Sequence, residues 1–390
     1  MEGIIALPVL YLCVVSLSAR LRARWYQKQP ATFSPPYARF AILIPAHNEV
    51  PVLGTLLASL AALDYPADDY AIYVVADNCT DTTAELARAS GRVSVYERFD
   101  QEKRGKGFAL SWIWQQLAAD QLFYDAYIVL DADSVVEATF LQTMNRGIAQ
   151  GARALQAHNT VLNVADSPST ALRWLALTLM NHVRPLGRNG LRCSSTLTGN
   201  GMCLSRELLD RHPWQAFSLS EDYQYYLGLV QHGEKVLYVP DAVVRSEMPV
   251  TFAQMRTQDI RWEASQDTSS AWRTAGKLLH AGIRNRDFVR LEAVAELLTP
   301  SLSTLLSLCV LTLVGSLLVW SLPALLFSLL LIGGVLGYIS TAFALLQPPR
   351  TVFLALLSAP RFVLWKLWVL LVLRKSKKYT GAWVRTVRNS

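Results

Sequence analysis

The chain has 390 residues, length for two to three domains, with 52% of them apolar or aromatic and only 17% charged. That balance excludes a disordered or highly solvated chain. The formal net charge of +7 is a modest excess, suited to anionic lipid heads or a nucleotide diphosphate. The five cysteines form no CxxC pair, which argues against a disulfide framework or a zinc site. What survives is a globular part joined to a membrane part.

The membrane part begins at once. Residues 4–19 carry no charge, close to the lower limit of the roughly 17–25 residues that a spanning helix needs. A cleaved signal peptide would carry basic residues before this run, yet the only early charge is Glu2. Arg20, Arg22, Arg24 and Lys28 follow the run and hold the next segment in the cytoplasm. Residues 1–28 therefore read as an anchor. A Pro-rich linker with Pro30, Pro35 and Pro36 leads into a globular segment over 33–250.

Its first half alternates short apolar runs with helical spacing. Phe40–Ile44, Ile72–Ala76, Val93–Tyr96 and Tyr127–Leu130 read as strands, the first ended by Pro45. Helical patterns lie between them, over Pro51–Leu63, up to Arg88, and over Gly107–Ala119. Regular alternation implies right-handed crossovers and a parallel sheet covered on both faces. Ligands of such sheets bind beyond the carboxyl ends of the strands. There this chain keeps Glu49, Asp77, Asp131 and Asp133. No GxGxxG occurs, and Arg104-Gly105-Lys106-Gly107 lacks Walker spacing, which disfavours a plain dehydrogenase or ATPase.

Asp131-Ala132-Asp133 sets two carboxylates side by side after a buried run. Their mutual repulsion is relieved by a hard cation such as Mg²⁺ or Mn²⁺, which also takes phosphate oxygens. DxD alone is common in solvated turns; the place at the end of an apolar run gives it weight. Glu221-Asp222 follows Ser218-Leu219-Ser220 and precedes three tyrosines. An acid pair there is either a cap that complements the helix dipole or a general base. Thr251 and Gln254 have capping-box spacing, so a helix from Phe252 puts Gln258, Arg261 and Trp262 on one face. An amide, a guanidinium and an indole together suit a diphosphate and a stacked sugar ring.

Taken in order, Asp77, Asp131-x-Asp133, Glu221-Asp222 and Gln258-x-x-Arg261-Trp262 resemble the D, DxD, ED and QxxRW series of membrane-embedded family-two inverting glycosyltransferases. That group includes cellulose, hyaluronan and poly-N-acetylglucosamine synthases and related exopolysaccharide enzymes. Ile44-Pro45-Ala46-His47-Asn48-Glu49 and Val75 to Asp81 are similar to the family's nucleotide loops. The resemblance covers nearly the whole chain. It implies a GT-A-type Rossmann-like α/β domain with a mostly parallel sheet, plus transmembrane and interfacial helices.

By this resemblance, Pro45, Glu49, Asp77, Lys106, Asp131, Gln258 and Arg261 hold a nucleotide sugar, expected to be a UDP-sugar. Asp131 and Asp133 carry Mg²⁺ or Mn²⁺. Asp222, beside Glu221, deprotonates the acceptor, while Trp262, Thr198, Gly199 and Asn200 line the acceptor site. The expected partners are that donor, a lipid-linked or glycan acceptor, the lipid bilayer and polysaccharide-export proteins. Nucleic acid is not expected, because the basic clusters lie near membrane segments.

The C-terminal part reads as membrane again. Residues 251–296 are an interfacial region carrying QxxRW. Leu297–Trp320 and Pro323–Leu346 carry no charge and form a helical hairpin. Thr351–Leu373 contains Arg361 and Lys366, which favours a re-entrant or interfacial helix before a basic cytosolic tail over 374–390. These segments imply a multi-pass protein of the inner or plasma membrane with its catalytic domain in the cytoplasm. Leu172, Leu175, Leu179, Val183 and Leu186 give one apolar face, with Arg173, Asn181, His182 and Arg184 elsewhere. That face is either core packing or interfacial. Processive polymer synthesis with secretion, transfer of one sugar to a lipid-linked acceptor, and a non-catalytic synthase subunit all remain open.

Overall fold

The computed structural model describes residues 2–26, 36–250 and 268–361. Helix α1 (Glu2–Tyr26) opens the chain. Strand and helix then alternate through β1 (Phe40–Ala46), α2 (Val50–Ala61), β2 (Tyr70–Asp77), α3 (Thr83–Ala89), β3 (Val93–Arg98), α4 (Lys106–Ala119) and β4 (Ala126–Val129). Next come β5 (Ser134–Val136), α5 (Phe140–Ala149) and β6 (Ala154–Val161). Helices α6 (Pro168–Thr178) and α7 (Arg184–Gly190) follow, joined by a π-helical turn at Leu179–Val183. Then come β7 (Met202–Ser205), α8 (Arg206–Arg211), α9 (Glu221–Gln231) and β8 (Val236–Ser246). The last helices are α10 (Thr268–Asn285), α11 (Phe288–Leu298), α12 (Leu302–Leu318), α13 (Leu322–Leu345) and α14 (Arg350–Ala355).

Two compact units result: an α/β unit of residues 30–162 and 195–248, and a helical unit of 1–29, 163–194 and 249–390.

In the α/β unit the sheet order is β3-β2-β1-β4-β7-β6-β8-β5. The first four strands are parallel, as the alternation predicts. The other half is mixed: β7 runs antiparallel to β4 and β6, β6 parallel to β8, and β5 antiparallel to β8. The sheet is thus mostly parallel but not wholly so. Strand β1 is apolar along its length because both faces are covered. Phe40, Ile42 and Ile44 meet Leu53, Leu56 and Leu60 of α2 in one buried cluster.

Strand β1 also runs through Pro45 rather than stopping before it. Leu43 accepts a bond from Leu130 N, so position 45, of the same parity, faces the same side. The β4 pairing has already ended there, at Leu43 opposite Val129. Proline's missing N–H therefore removes no ladder bond.

In the helical unit α6 starts at a capping box, Ser167 Oγ accepting from Thr170 N. Leu172, Leu175, Leu179, Val183 and Leu186 are buried, and so are Arg173, Asn181, His182 and Arg184, while Met180 is 53% exposed. The segment is not one-sided, and the reason lies far along the chain. Arg188 grips Glu292 with Nε at 2.6 Å and Nη2 at 2.9 Å. Arg184 reaches Glu296 at 3.2 Å and the Tyr338 hydroxyl at 3.0 Å. The Tyr11 hydroxyl stands 2.6 Å from Glu292 and 3.0 Å from Glu296.

Among the described residues, two helices are long and apolar enough to cross a membrane, Ile5–Arg24 and Leu322–Leu345. A third appears if α11 and α12 count as one span, bent by 69°. The expected single run from Leu297 to Trp320 is broken because Pro300 cannot continue a helix, and Ser301 caps the new one. Trp320, at φ 49°, turns the chain into α13, as the expected hairpin requires. Of the expected segment Thr351–Leu373, the described part is α14, a 3₁₀ turn at Leu356–Ser358 and the residues to Arg361. The remainder lies outside the described residues.

Candidate active site

The carboxyl ends of β1, β2, β3 and β4 share one edge of the sheet, since the four are parallel. The segments after them carry the acidic residues. Strand β7 runs the other way beside β4, with Met202 opposite Val129. The loop that feeds it, 198–201, is thereby brought to the same edge. Helix α9 begins there too, with Glu221 and Asp222 in its first turn.

These pieces meet around one ammonium. Lys106, the first residue of α4, places Nζ 2.5 Å from Asp131 Oδ1 and 2.7 Å from the Gly199 carbonyl oxygen. Gly199 has φ 73°, and a Cβ there would stand 2.9 Å from Asp222 Oδ2 and 3.3 Å from Lys106 Nζ. Asp131, Lys106, Gly199 and Asp222 are therefore direct neighbours. Glycine is required at 199 twice over, for its left-handed backbone and for this close approach.

Behind the loop, Asn200 is 1% exposed. Its Oδ1 accepts from Asp131 N, and its Nδ2 donates to Ser134 and Ser246. The amide of Asn200, a residue expected at the acceptor wall, is thus buried, with one bond to the Asp131 backbone and two to Ser134 and Ser246. Thr198 is held by its backbone N–H to Gln156 Oε1 at 2.9 Å.

Among the described residues, one cation thus faces an acid-rich cluster. Burial, with the neighbouring Asp222 adding to it, pushes the Glu221 carboxyl up to about 8 while Lys106 opposes the rise. Burial raises Asp222 as well, again against Lys106. Burial works against the charge of Lys106, but Asp131 and then Glu221 outweigh it and hold the ammonium above the ordinary lysine range. Glu221 is buried, whereas Asp222 is half-buried, with Oδ1 accepting from Tyr223 N at 2.7 Å.

The loop before α9 is fixed against α4. Trp214 Nε1 donates to the Gly107 carbonyl at 3.1 Å, and Phe108 stacks on Phe217 at 4.5 Å. A Cβ on Gly107 would come 2.3 Å from the Ala216 carbonyl oxygen. Gly107, Trp214 and Phe217 are thus positioning residues for the acid pair, and the sequence reading missed them. An aromatic cluster just upstream of two acids was the available signal.

At the other strands, Asp77 ends β2 and bonds Arg98 Nη1 at 2.7 Å. Burial raises the Asp77 carboxyl, and Arg98 works against that rise. Arg98 was also missed. It pairs with Asp77 in the β2–β3 register, two residues past the expected end of the third strand. Glu49 caps α2, its backbone N–H bonded to Thr83 Oγ1 at 2.9 Å, and Pro45 sits one residue before the end of β1. Gln258, Arg261 and Trp262 lie outside the described residues.

Asp131 and Asp133 flank one turn, both half-buried. Among the described residues no three His, Cys, Asp or Glu side chains form a ready-made cage. Two carboxylates fit a Mg²⁺- or Mn²⁺-type ion that keeps waters and takes substrate phosphates, rather than one bound by protein alone.

Residues 35–265 match the family model described as glycosyltransferase like family 2. A beta-monoglucosyldiacylglycerol synthase of Synechocystis is 27% identical over 235 residues, 58% of this chain and 47% of that protein. An N-acetylglucosaminyltransferase of Rhizobium meliloti is 27% identical over 252 residues, 57% of this chain and 54% of that one. This chain spans about half the length of these curated relatives. Among solved structures, a Pyrobaculum calidifontis mannosyltransferase in complex with GDP-Man and Mn²⁺ superposes with a TM-score of 0.52 at 18% identity. That match covers 92% of this chain and 98% of the other, and it shows a shared GT-A-like fold.

Proposed function

The chain belongs to the glycosyltransferase like family 2, and we propose that it is a membrane-embedded, inverting hexosyltransferase that moves a sugar from a nucleotide donor to a lipid-linked or glycan acceptor. The observation that carries this reading is the meeting of Lys106, Asp131, Gly199 and Asp222 at the strand ends. That meeting puts a cation and a proton acceptor on one small volume.

In this reading the Asp222 carboxylate takes the proton of the acceptor hydroxyl. The acceptor oxygen bonds the anomeric carbon as the bond from that carbon to the diphosphate oxygen breaks. The electron pair leaves with the diphosphate, and the anomeric centre inverts. Burial suits Asp222 to the task, because a raised carboxyl is a stronger base than an ordinary aspartate. Asp77 and Glu49 hold the nucleoside, with Arg98 fixing Asp77. Lys106, released from Asp131, meets the diphosphate. A divalent cation on Asp131 and Asp133 would supply further positive charge against the departing diphosphate.

The donor is read as a UDP-sugar. A lipid acceptor is supported by the name of the Synechocystis relative and by the apolar lengths of α1 and α13. A multi-pass protein of the inner or plasma membrane with a cytoplasmic active site is part of this reading, supported by Arg20, Arg22 and Arg24 after the first apolar run. A role in exopolysaccharide assembly, with export proteins as partners, belongs to the same reading.

The test uses the detergent-purified chain. A UDP-sugar with Mg²⁺ or Mn²⁺ should raise its melting temperature and support label transfer into a lipid fraction. Asp222→Asn should cut turnover by about 10²–10⁴-fold, the usual weight of a general base, and leave the nucleotide-induced shift in place. Undiminished turnover in Asp222→Asn, or no response to any nucleotide sugar, would overturn the reading.

A further inference from the structure

The Lys106 ammonium is held in the way a metal ion is held. Its Nζ lies 2.5 Å from Asp131 Oδ1 and 2.7 Å from the Gly199 carbonyl oxygen. A carboxylate and a carbonyl are the oxygen types that hard divalent ions take. Glu221 and Asp222 add their charge to the hold on it. The Lys106 side chain is 22% exposed and that of Asp131 43%, so the ammonium is the more covered of the two and the carboxylate stays within reach of a ligand. The start of the side chain has little freedom. Lys106 is the first residue of α4, and Gly107 beside it lies so near the Ala216 carbonyl oxygen that no Cβ fits between them. The stem beyond is four carbons long and flexible. The backbone is therefore fixed, and the ammonium is free to swing.

Ammonium and metal compete for one carboxylate. A divalent ion that uses Asp131 together with Asp133 must either share Asp131 with a like charge or displace it. A metal alone offers the ammonium no new partner. Leaving would break both of its bonds and take it from three acids, Asp131, Glu221 and Asp222. A diphosphate changes the balance, because some of its oxygens accept from the ammonium while others accompany the metal. One cation is then exchanged for another, and the acids are not left without one.

We propose that Lys106 keeps a free divalent ion off Asp131, so that the site admits metal only together with a nucleoside diphosphate and takes its donor as that metal complex. This rests on the donor and metal sites proposed above. Run backwards, the same exchange returns the ammonium to Asp131 as the product diphosphate leaves with its metal.

The experiment follows free Mn²⁺ by its electron paramagnetic resonance signal in the presence of the detergent-purified full chain, with and without UDP, against UDP alone as background. The unsubstituted chain should bind Mn²⁺ at least about tenfold more tightly with UDP than without it, an ordinary size for a coupling between ligands. Lys106→Met keeps most of the stem and removes the charge. It should bind Mn²⁺ without UDP about tenfold more tightly than the unsubstituted chain does, again an ordinary coupling. Lys106→Gln gives the same reading should the methionine variant fail to fold, and Lys106→Arg, which keeps the charge, should show no gain. Unchanged or weaker Mn²⁺ binding in the uncharged variants would overturn the proposal, as would an equal gain in Lys106→Arg. Asp133→Asn separates the two ideas. If UDP brings no Mn²⁺ to the unsubstituted chain, or Asp133→Asn binds as much of it, the metal site itself is wrong. If the metal site stands and the uncharged variants show no gain, only the guarding role of Lys106 falls.

Discussion

The α/β unit and the helical unit each bury a charge cluster, and the two are built on opposite plans. In the helical unit Arg184 and Arg188 face Glu296 and Glu292, two charges against two, with Tyr11 and Tyr338 on the remaining oxygens and nitrogens. In the α/β unit one ammonium, Lys106, stands among Asp131, Glu221 and Asp222, and both members of the acid pair are pushed upward. A balanced cluster ties helices together. Among the described residues the acid-rich one holds a single cation, and a proton or a ligand would balance it further. The imbalance, not the burial, is what supports the proposed site of chemistry.

If that contrast is right, cutting the balanced cluster should cost stability above all. Arg188 is 1% exposed and makes two bonds to Glu292. Arg188→Met leaves Glu292 buried without its counter-charge, an expected loss of about 3–5 kcal/mol. The double variant Arg188→Met with Glu292→Met removes both charges and should recover much of that loss. Unfolding of the purified chain in detergent reads both values. A double variant no more stable than either single one would mean that the pair does more than neutralise itself.

The acid-rich cluster should instead reveal itself through pH. The folded chain holds the Glu221 proton up to about 8, while an unfolded Glu releases it near its ordinary value of about 4.3. Between those limits the folded state binds more protons, so stability falls as pH rises and levels off above the upper one. Each pH unit in the window is worth at most about 1.4 kcal/mol. Asp222 shares the titration, so Glu221→Gln should remove only part of this slope. Melting curves across the window should therefore show a shallower decline for Glu221→Gln than for the unsubstituted chain. Parallel curves would mean that Glu221 is ionised throughout and that the cluster is less starved of positive charge than its geometry implies.

The sequence revealed these two clusters unequally. Asp77, Asp131 and Asp133 follow apolar runs, so period and composition alone locate them at strand ends. The acid pair at 221–222 likewise announces a helix start. The pairing of Arg188 with Glu292 spans more than a hundred residues, and no local pattern encodes it. The mixed half of the sheet was hidden for a related reason. Strand β7 has only four residues and arrives after two helices of the other unit, so the alternation that exposed β1 to β4 is lost. Asn200 shows the same limit at one position. The resemblance sets it at the acceptor wall, and only the structure shows its amide bonded to the Asp131 backbone.

The smallest expected effect on stability, and the sharpest on geometry, comes from Gly199. Alanine there keeps its place only in the left-handed region, at a cost of about 1–2 kcal/mol. Its methyl would also press on Asp222 Oδ2 at 2.9 Å and crowd Lys106 at 3.3 Å. Both groups would have to shift, and with them the base and the cation proposed to meet the substrates. Gly199→Ala should therefore lower turnover by more than its modest loss of melting temperature accounts for. Nucleotide affinity should fall less, because Asp77 and Arg98 are held independently on β2 and β3. Equal losses in turnover and nucleotide binding would instead place Gly199 at the donor and separate it from Asp222. Such a result would leave the acid-rich cluster intact as an electrostatic feature while removing the geometric reason for assigning the proton to Asp222.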